Sequence, residues 1–177
     1  LLTERLVLNC IQRMSGIATK THFLNTLCND TKARLLDTRK TTPNFRFAEK
    51  WAVLLGGGTN HRFGLFDMIL VKDNHIDMCG GIAPAIRSVK NYLKRKKKNL
   101  KIEVEARTLN EVQQILDEKG VHRILLDNMS TSQMKKAVQM IGKRAESEAS
   151  GGITEKNIRK VALTGVTYIS IGALTHH

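Results

Sequence analysis

The chain has 177 residues, of which 41% are apolar and 25% charged, with 29 Lys and Arg against 16 Asp and Glu for a formal charge of +13. That length and apolar share suffice for one compact domain with a real core. No stretch approaches the roughly 20 uninterrupted apolar residues of a membrane span, so a transmembrane helix is excluded.

In chain order, a helix-like lead-in over 1–29 is followed by a strand over 33–38 and a helix over 45–55. The loop 56–66 carries a glycine triplet, and a strand over 68–72 comes next. Helix 82–97, strand 101–105, helix 109–119, strand 123–127 and helix 131–142 continue the alternation. A weak segment at 143–149, helix 154–164 and strand 168–172 complete it. Strands alternating with helices of this length predict βαβ units and a parallel sheet, either doubly wound or closed as a barrel. The barrel is favoured because each strand ends on polar residues: Arg39 and Lys40, Lys72, Glu105, Asp127, Ser150 with Gly151, and Gly172. In a parallel barrel those ends meet on one rim, where active sites sit.

The cationic excess raises nucleic-acid binding as a possibility. Its densest run, 94–98, has no aromatic residue within it and closes a predicted helix, so it reads as a solvated helix end and nucleic acid is not expected as a partner. Cys10, Cys28 and Cys79 share no ligand spacing. Neither a disulfide framework nor a zinc centre is expected, and His61 and His75 lack a second His or Cys at ligand spacing, so no transition-metal site is predicted. The sequence opens without Met in an apolar helical pattern and is read as a fragment. Nothing in it resembles a signal peptide, which leaves a cytoplasmic location as the expectation.

Between Asp37 and Ile76 stand DTRKTTP (37–43), GGGTNHR (56–62) and VKDNHI (71–76), a density of Arg, Lys and His suited to a strongly anionic ligand. With EVE (103–105), LDN (126–128), EASGGI (148–153) and GALTH (172–176), these motifs resemble, in order and spacing, the signature of quinolinate phosphoribosyltransferases, and the resemblance covers nearly the whole chain. It implies an incomplete, TIM-like parallel α/β barrel of the type II phosphoribosyltransferases. Here one catalytic domain would span 1–177, with 1–30 as a helical lead-in, and the family's N-terminal α/β domain and C-terminal end would be absent. The implied reaction joins quinolinate to phosphoribosyl pyrophosphate with decarboxylation, uses Mg²⁺ and runs in a homodimer or higher homo-oligomer.

Carried over by motif, Arg39, His61, Arg62 and Lys72 would hold the quinolinate carboxylates, while Lys40 and His176 would contact phosphoribosyl pyrophosphate. Glu105 and Asp127 suit ribose hydroxyls and a hydrated Mg²⁺, or stabilise charge developing on the ribose, and with Lys40 they form the expected catalytic set. As a plainer alternative, the two carboxylates are ion-pair partners of the cations. Ser150, Gly151 and Gly152 ahead of a predicted helix, with Gly172 and Ala173, are the expected phosphate grip. The glycine triplet is read as a tight helix exit rather than a second phosphate loop.

Glu103 and Glu105 are read as facing opposite sides of their strand, with Glu105 inward. The polar stretch Ala145, Glu146, Ser147 departs from the family's apolar fifth strand, so that strand is expected to be short, displaced or poorly ordered, because an unpaired buried Glu is costly. Rival functions are a catalytically dead or altered-substrate homologue, or a basic nucleic-acid-binding fragment. Retention of Arg39, His61, Arg62 and Lys72 speaks against a monocarboxylate substrate.

Overall fold

The computed structural model describes residues 2–176, Leu2 through its backbone alone, so the part of the predicted lead-in at Leu1 lies outside the described residues. Helix α1 spans Leu2–Thr26 and precedes β1 (Arg34–Leu36), α2 (Arg46–Leu55) and β2 (Met68–Val71). Then follow α3 (Asp73–Met78), α4 (Ile82–Arg95), β3 (Lys101–Ala106), α5 (Leu109–Asp117), β4 (Arg123–Asp127) and α6 (Thr131–Ile141). Strand β5 (Glu146–Ser150), α7 (Ile158–Ala162), β6 (Tyr168–Ser170) and a 3₁₀ turn at Gly172–Leu174 complete the described fold.

The six strands form one parallel sheet in the order β1-β6-β5-β4-β3-β2. From β2 to β6 each strand lies beside its successor, and β6 returns to β1. That is the progression of a barrel, left open between β1 and β2. The loop 56–67 spans the opening: the Thr59 N–H donates to the Leu35 carbonyl at 2.7 Å, and Arg62 Nη1 donates to the Met68 carbonyl at 3.1 Å.

Period-two alternation decides what each strand offers to which side. Leu35, Ile102, Val104, Ile124, Leu126, Ala149 and Ile169 are all nearly or fully buried and belong to one continuous apolar core with Ile86, Val112, Ile115, Ala137, Ile141 and Ile158 from the helices. Helices α5 and α6 start where side chains replace missing backbone partners. The Thr108 hydroxyl accepts from the Glu111 N–H ahead of α5, and Ser130 with Gln133 forms a reciprocal capping box ahead of α6. At the exit of α2, Gly56 lies so close to Ala18 and Thr21 of α1 that a Cβ there would collide with both, which is why α1 and α2 can cross at this point.

Three expectations change. The short helix α3 was not foreseen, since six residues give too little periodicity to read. Helix α7 begins at Ile158, four residues later than expected. The fifth strand is neither short nor displaced: β5 pairs with β4 on one side and β6 on the other. It tolerates glutamates because both have partners. Arg123 donates to Glu146 Oε2 at 3.2 and 3.3 Å and to Glu148 Oε2 at 2.9 Å, while the Tyr168 hydroxyl donates to Glu146 Oε1 at 3.2 Å.

Candidate active site

Every second residue at the C-terminal ends of the strands borders one cavity of about 530 Å³. Thr38 follows β1, Leu70 and Lys72 belong to or follow β2, Glu105 comes from β3, Leu125 and Asp127 from β4, Glu148 and Ser150 from β5, and Ser170 with Gly172 from β6. All thirteen residues singled out from the sequence line it: Arg39, Lys40, His61, Arg62, Lys72, Glu105, Asp127, Ser150, Gly151, Gly152, Gly172, Ala173 and His176. The glycines Gly56 to Gly58 lie outside the cavity wall and pack on α1 and α2 instead, as a helix exit.

The cations are held by a buried scaffold that sequence reasoning missed. Asp37, fully buried, accepts from Lys50 Nζ at 2.5 Å and from the His61 N–H at 2.8 Å. The Asn60 amide, oriented to donate, reaches the other Asp37 oxygen at 2.7 Å, and Lys50 Nζ also donates to the His61 carbonyl at 3.0 Å. Burial pushes the Asp37 carboxyl up and the Lys50 ammonium down, each opposed by the attraction of its partner. The pair fixes the turn that presents His61 and Arg62. Arg39 Nε is buried without an acceptor, a donor in the cavity wall left for a ligand.

Lys72 caps α3, where its N–H donates to His75 Nδ1 at 3.0 Å, so His75 orders the loop. Burial, then the charges of Asp127 and Asp73, raise the Glu105 carboxyl. Cations and carboxylates thus occupy the same rim.

The 150–154 segment differs from its expected form. Thr154 N–H donates to Asn157 Oδ1 at 2.8 Å, and Asn157 Nδ2 donates to the Gly152 carbonyl at 2.9 Å, closing a turn before α7 begins. The helix proper thus starts at Ile158 rather than Thr154, and Ser150 and Thr154 line the cavity beside the backbone of Gly151 and Gly152. Gly151 has φ +94° and lies against the Asn128 amide, so the close approach and the left-handed backbone both require glycine.

Glu103 and Glu105 face the same side, because residues two apart on a strand share a face. Glu103 sits one layer deeper, directly across from Arg123, which is across from Glu146. His61 Nε2 lies 3.0 Å from Glu103 Oε2 and 3.6 Å from Glu148 Oε2, and its Nδ1 accepts from the Arg62 N–H at 2.8 Å. Burial holds the imidazole below its ordinary value, against the pull of Glu148. Both ring nitrogens therefore face protein groups, and neither reaches a ligand carboxylate without exchanging a partner.

His61, Glu103 and Glu148 bring atoms of metal-ligand type within 4.8 Å of one another. Arg123, 2.9 Å from Glu148, already supplies fixed positive charge there. The signal for this deeper layer was in the sequence as E-x-E in β3 and E-x-E in β5, flanking an Arg that opens β4.

Residues 17–177 match the family model described as quinolinate phosphoribosyl transferase, C-terminal domain. The chain is 48% identical to "Quinolinate phosphoribosyltransferase [decarboxylating] 2b, mitochondrial" of Nicotiana tabacum, over 99% of this chain and 53% of that protein. It is also 48% identical to "Nicotinate-nucleotide pyrophosphorylase [carboxylating], chloroplastic" of Arabidopsis thaliana, over 98% and 53%. Among solved structures, the nicotinate-nucleotide pyrophosphorylase from Francisella tularensis superposes with a TM-score of 0.92 at 45% identity, covering 98% of this chain and 60% of that one. The chain spans about half the length of the plant relatives.

Proposed function

From the premise that the chain belongs to the quinolinate phosphoribosyltransferase family, matching its C-terminal domain, we propose that it carries the catalytic barrel of an enzyme that transfers phosphoribose to quinolinate. Quinolinate and phosphoribosyl pyrophosphate give nicotinate mononucleotide, pyrophosphate and CO₂, a step of de novo NAD synthesis. The observation that carries this reading is the gathering of Arg39, Lys40, Arg62 and Lys72 around one cavity that also holds Glu105 and Asp127.

Two adjacent carboxylates on a pyridine call for more than one fixed cation. Arg39 and Arg62 supply planar donors and Lys72 a point charge, with His61 completing the wall. Lys40, His176 and the 150–152 and 172–173 backbones take the phosphates. The pyridine nitrogen attacks the anomeric carbon as pyrophosphate leaves, and Glu105 with Asp127 stabilises the positive charge that develops on the ribose. Once quaternised, the ring accepts the electron pair released when the neighbouring carboxylate departs as CO₂, and that carbon then takes a proton.

Glu105 and Asp127, hard oxygen donors on neighbouring strands, would suit Mg²⁺ held directly or through water; burial and then the Asp127 charge raise the Glu105 carboxyl, and a cation would offset the second of these. Mg²⁺ supplies neutralisation of the diphosphate. No described helix is long and apolar enough to cross a membrane. Three unpaired thiols suit a reducing compartment such as the cytoplasm, while several plant relatives bear mitochondrial or chloroplastic names. We further propose a homo-oligomer: Leu6, Val7 and Ile11 of α1 with Trp51 and Leu55 of α2 are about half exposed or more, an apolar surface larger than isolated residues explain.

The deciding assay supplies phosphoribosyl pyrophosphate and Mg²⁺ with either quinolinate or nicotinate. Mononucleotide and CO₂ from quinolinate alone support the reading. Turnover of nicotinate, or binding of neither acid, refutes it.

A further inference from the structure

One buried carboxyl at the cavity wall has no part in the reaction as proposed. Glu148 on β5 is fully buried yet borders the cavity. Its Oε2 accepts from Arg123, while no N–H donor among the described residues reaches Oε1. Glu103 on β3 is buried as completely, with His61 Nε2 3.0 Å from its Oε2 and no cation in direct contact with it among the described ion pairs.

The groups facing Glu148 are few. Glu103 comes from β3, Arg123 from β4, Glu146 from its own strand, Tyr168 from the opposite register position on β6, and His61 from the loop, with Arg62 acting on Glu103 and His61. Among the described residues Arg123 is the cation in contact with Glu148, and it is shared with Glu146. Two fully buried carboxylates beside one shared guanidinium cannot both ionise without a large desolvation cost, and a single proton removes most of it. The Glu148 and Glu103 side chains are hydrogen-bonded to each other, so a proton held on Glu148 finds its acceptor in Glu103.

We propose that Glu148 is a neutral carboxylic acid that donates towards the Glu103 carboxylate and, by remaining uncharged at the cavity wall, sets an upper pH limit on the affinity of the site for anions. This deepens the reading of the cavity as an anionic-substrate site and rests on it. Burial, then the Glu103 charge, push Glu148 up to about 8 against the pull of His61 and Arg123. Below that pH the wall gains no charge from Glu148. Above it the proton passes to solvent, and a second buried anion appears where the ligand's negative charge must sit. Glu148 is thus a positioning residue, acting through the charge of the wall and through Glu103.

Two measurements test this. Infrared spectroscopy of the unliganded protein should show a protonated-carboxyl band at neutral pH that disappears around pH 8 and is missing in Glu148→Gln. Calorimetry with quinolinate, and separately with inorganic pyrophosphate, should show affinity falling by about tenfold or more from about pH 7 to about pH 9.5. In Glu148→Gln, whose amide still donates to Glu103 but cannot titrate, affinity should stay flat across that window. Glu105 also borders the cavity and also has a raised carboxyl, so an equal fall in the variant would assign the effect elsewhere and overturn the proposal. Absence of the band at neutral pH overturns it too, whether or not the variant folds. If pyrophosphate shows the pH limit and quinolinate binds at no pH, the proposal stands and the quinolinate reading fails. If neither anion binds at any pH, both fail.

Discussion

Replacing Lys50 by Met leaves the Asp37 carboxylate in the interior without its counter-ion. Both side chains are shielded from water, at 2% and 0% exposure, and their charged atoms are 2.5 Å apart. Removing one partner of a buried pair costs about 3–5 kcal/mol, because the remaining charge keeps its desolvation penalty. Asp37 would retain the His61 N–H and the Asn60 amide, which places the loss near the lower end, about 3 kcal/mol.

The penalty has a defined pH dependence. Asp37 is already raised by burial, and losing Lys50 raises it further. A carboxyl raised above its unfolded value contributes stability that is present below the unfolded pKa, about 4, and lost as pH rises through the folded one. The variant should therefore approach the parent protein near pH 4 and fall about 3 kcal/mol behind it at neutral pH in urea denaturation. Asp37→Asn added to Lys50→Met should recover at least half of the loss, since no charge is then stranded. A loss below about 1 kcal/mol at neutral pH, or an equal loss at pH 4, would show that the pair is not what holds the 59–62 turn.

Arg62→Ala and Lys72→Ala should each weaken quinolinate binding by about 2–5 kcal/mol in calorimetry, and unchanged affinity in both would remove them from the carboxylate site. Glu105→Gln and Asp127→Asn should lose turnover while keeping quinolinate affinity within about threefold, a difference below about 1 kcal/mol; near-normal turnover in both would release them from the ribose step. Gly151→Ala should cost about 1–2 kcal/mol of stability from its left-handed backbone and the clash with Asn128, and should weaken pyrophosphate binding; a neutral effect on both would mean that the 150–152 turn is free to move.

The sequence made the rim legible and the layer beneath it obscure. Arg39, Lys72, Glu105 and Asp127 were readable because each follows or ends a strand, and a parallel barrel sends all such ends to one rim. Glu146 looked like a flaw in a buried strand because its partner, Arg123, is more than 20 residues away and joins it only through strand pairing. Lys50 was hidden for a related reason: inside a helix, a lysine reads as solvent-facing until the fold sets Asp37 against it. The turn before α7 was misread because Thr154 and Asn157 form a side-chain-closed loop that single-sequence periodicity does not separate from a helix start.

The opening between β1 and β2 gives the proposed anion site a mechanical role. Arg39 follows the strand on one lip, Lys72 follows the strand on the other, and Arg62 rides the loop that crosses between them. A dicarboxylate gripped by all three is a clasp drawn across an unfastened seam. Ligand occupancy should then damp the breathing of both sheet edges, and amide exchange at β1 and β2 should slow on binding more than exchange at the central strands β4 and β5, which are already hydrogen-bonded on both sides.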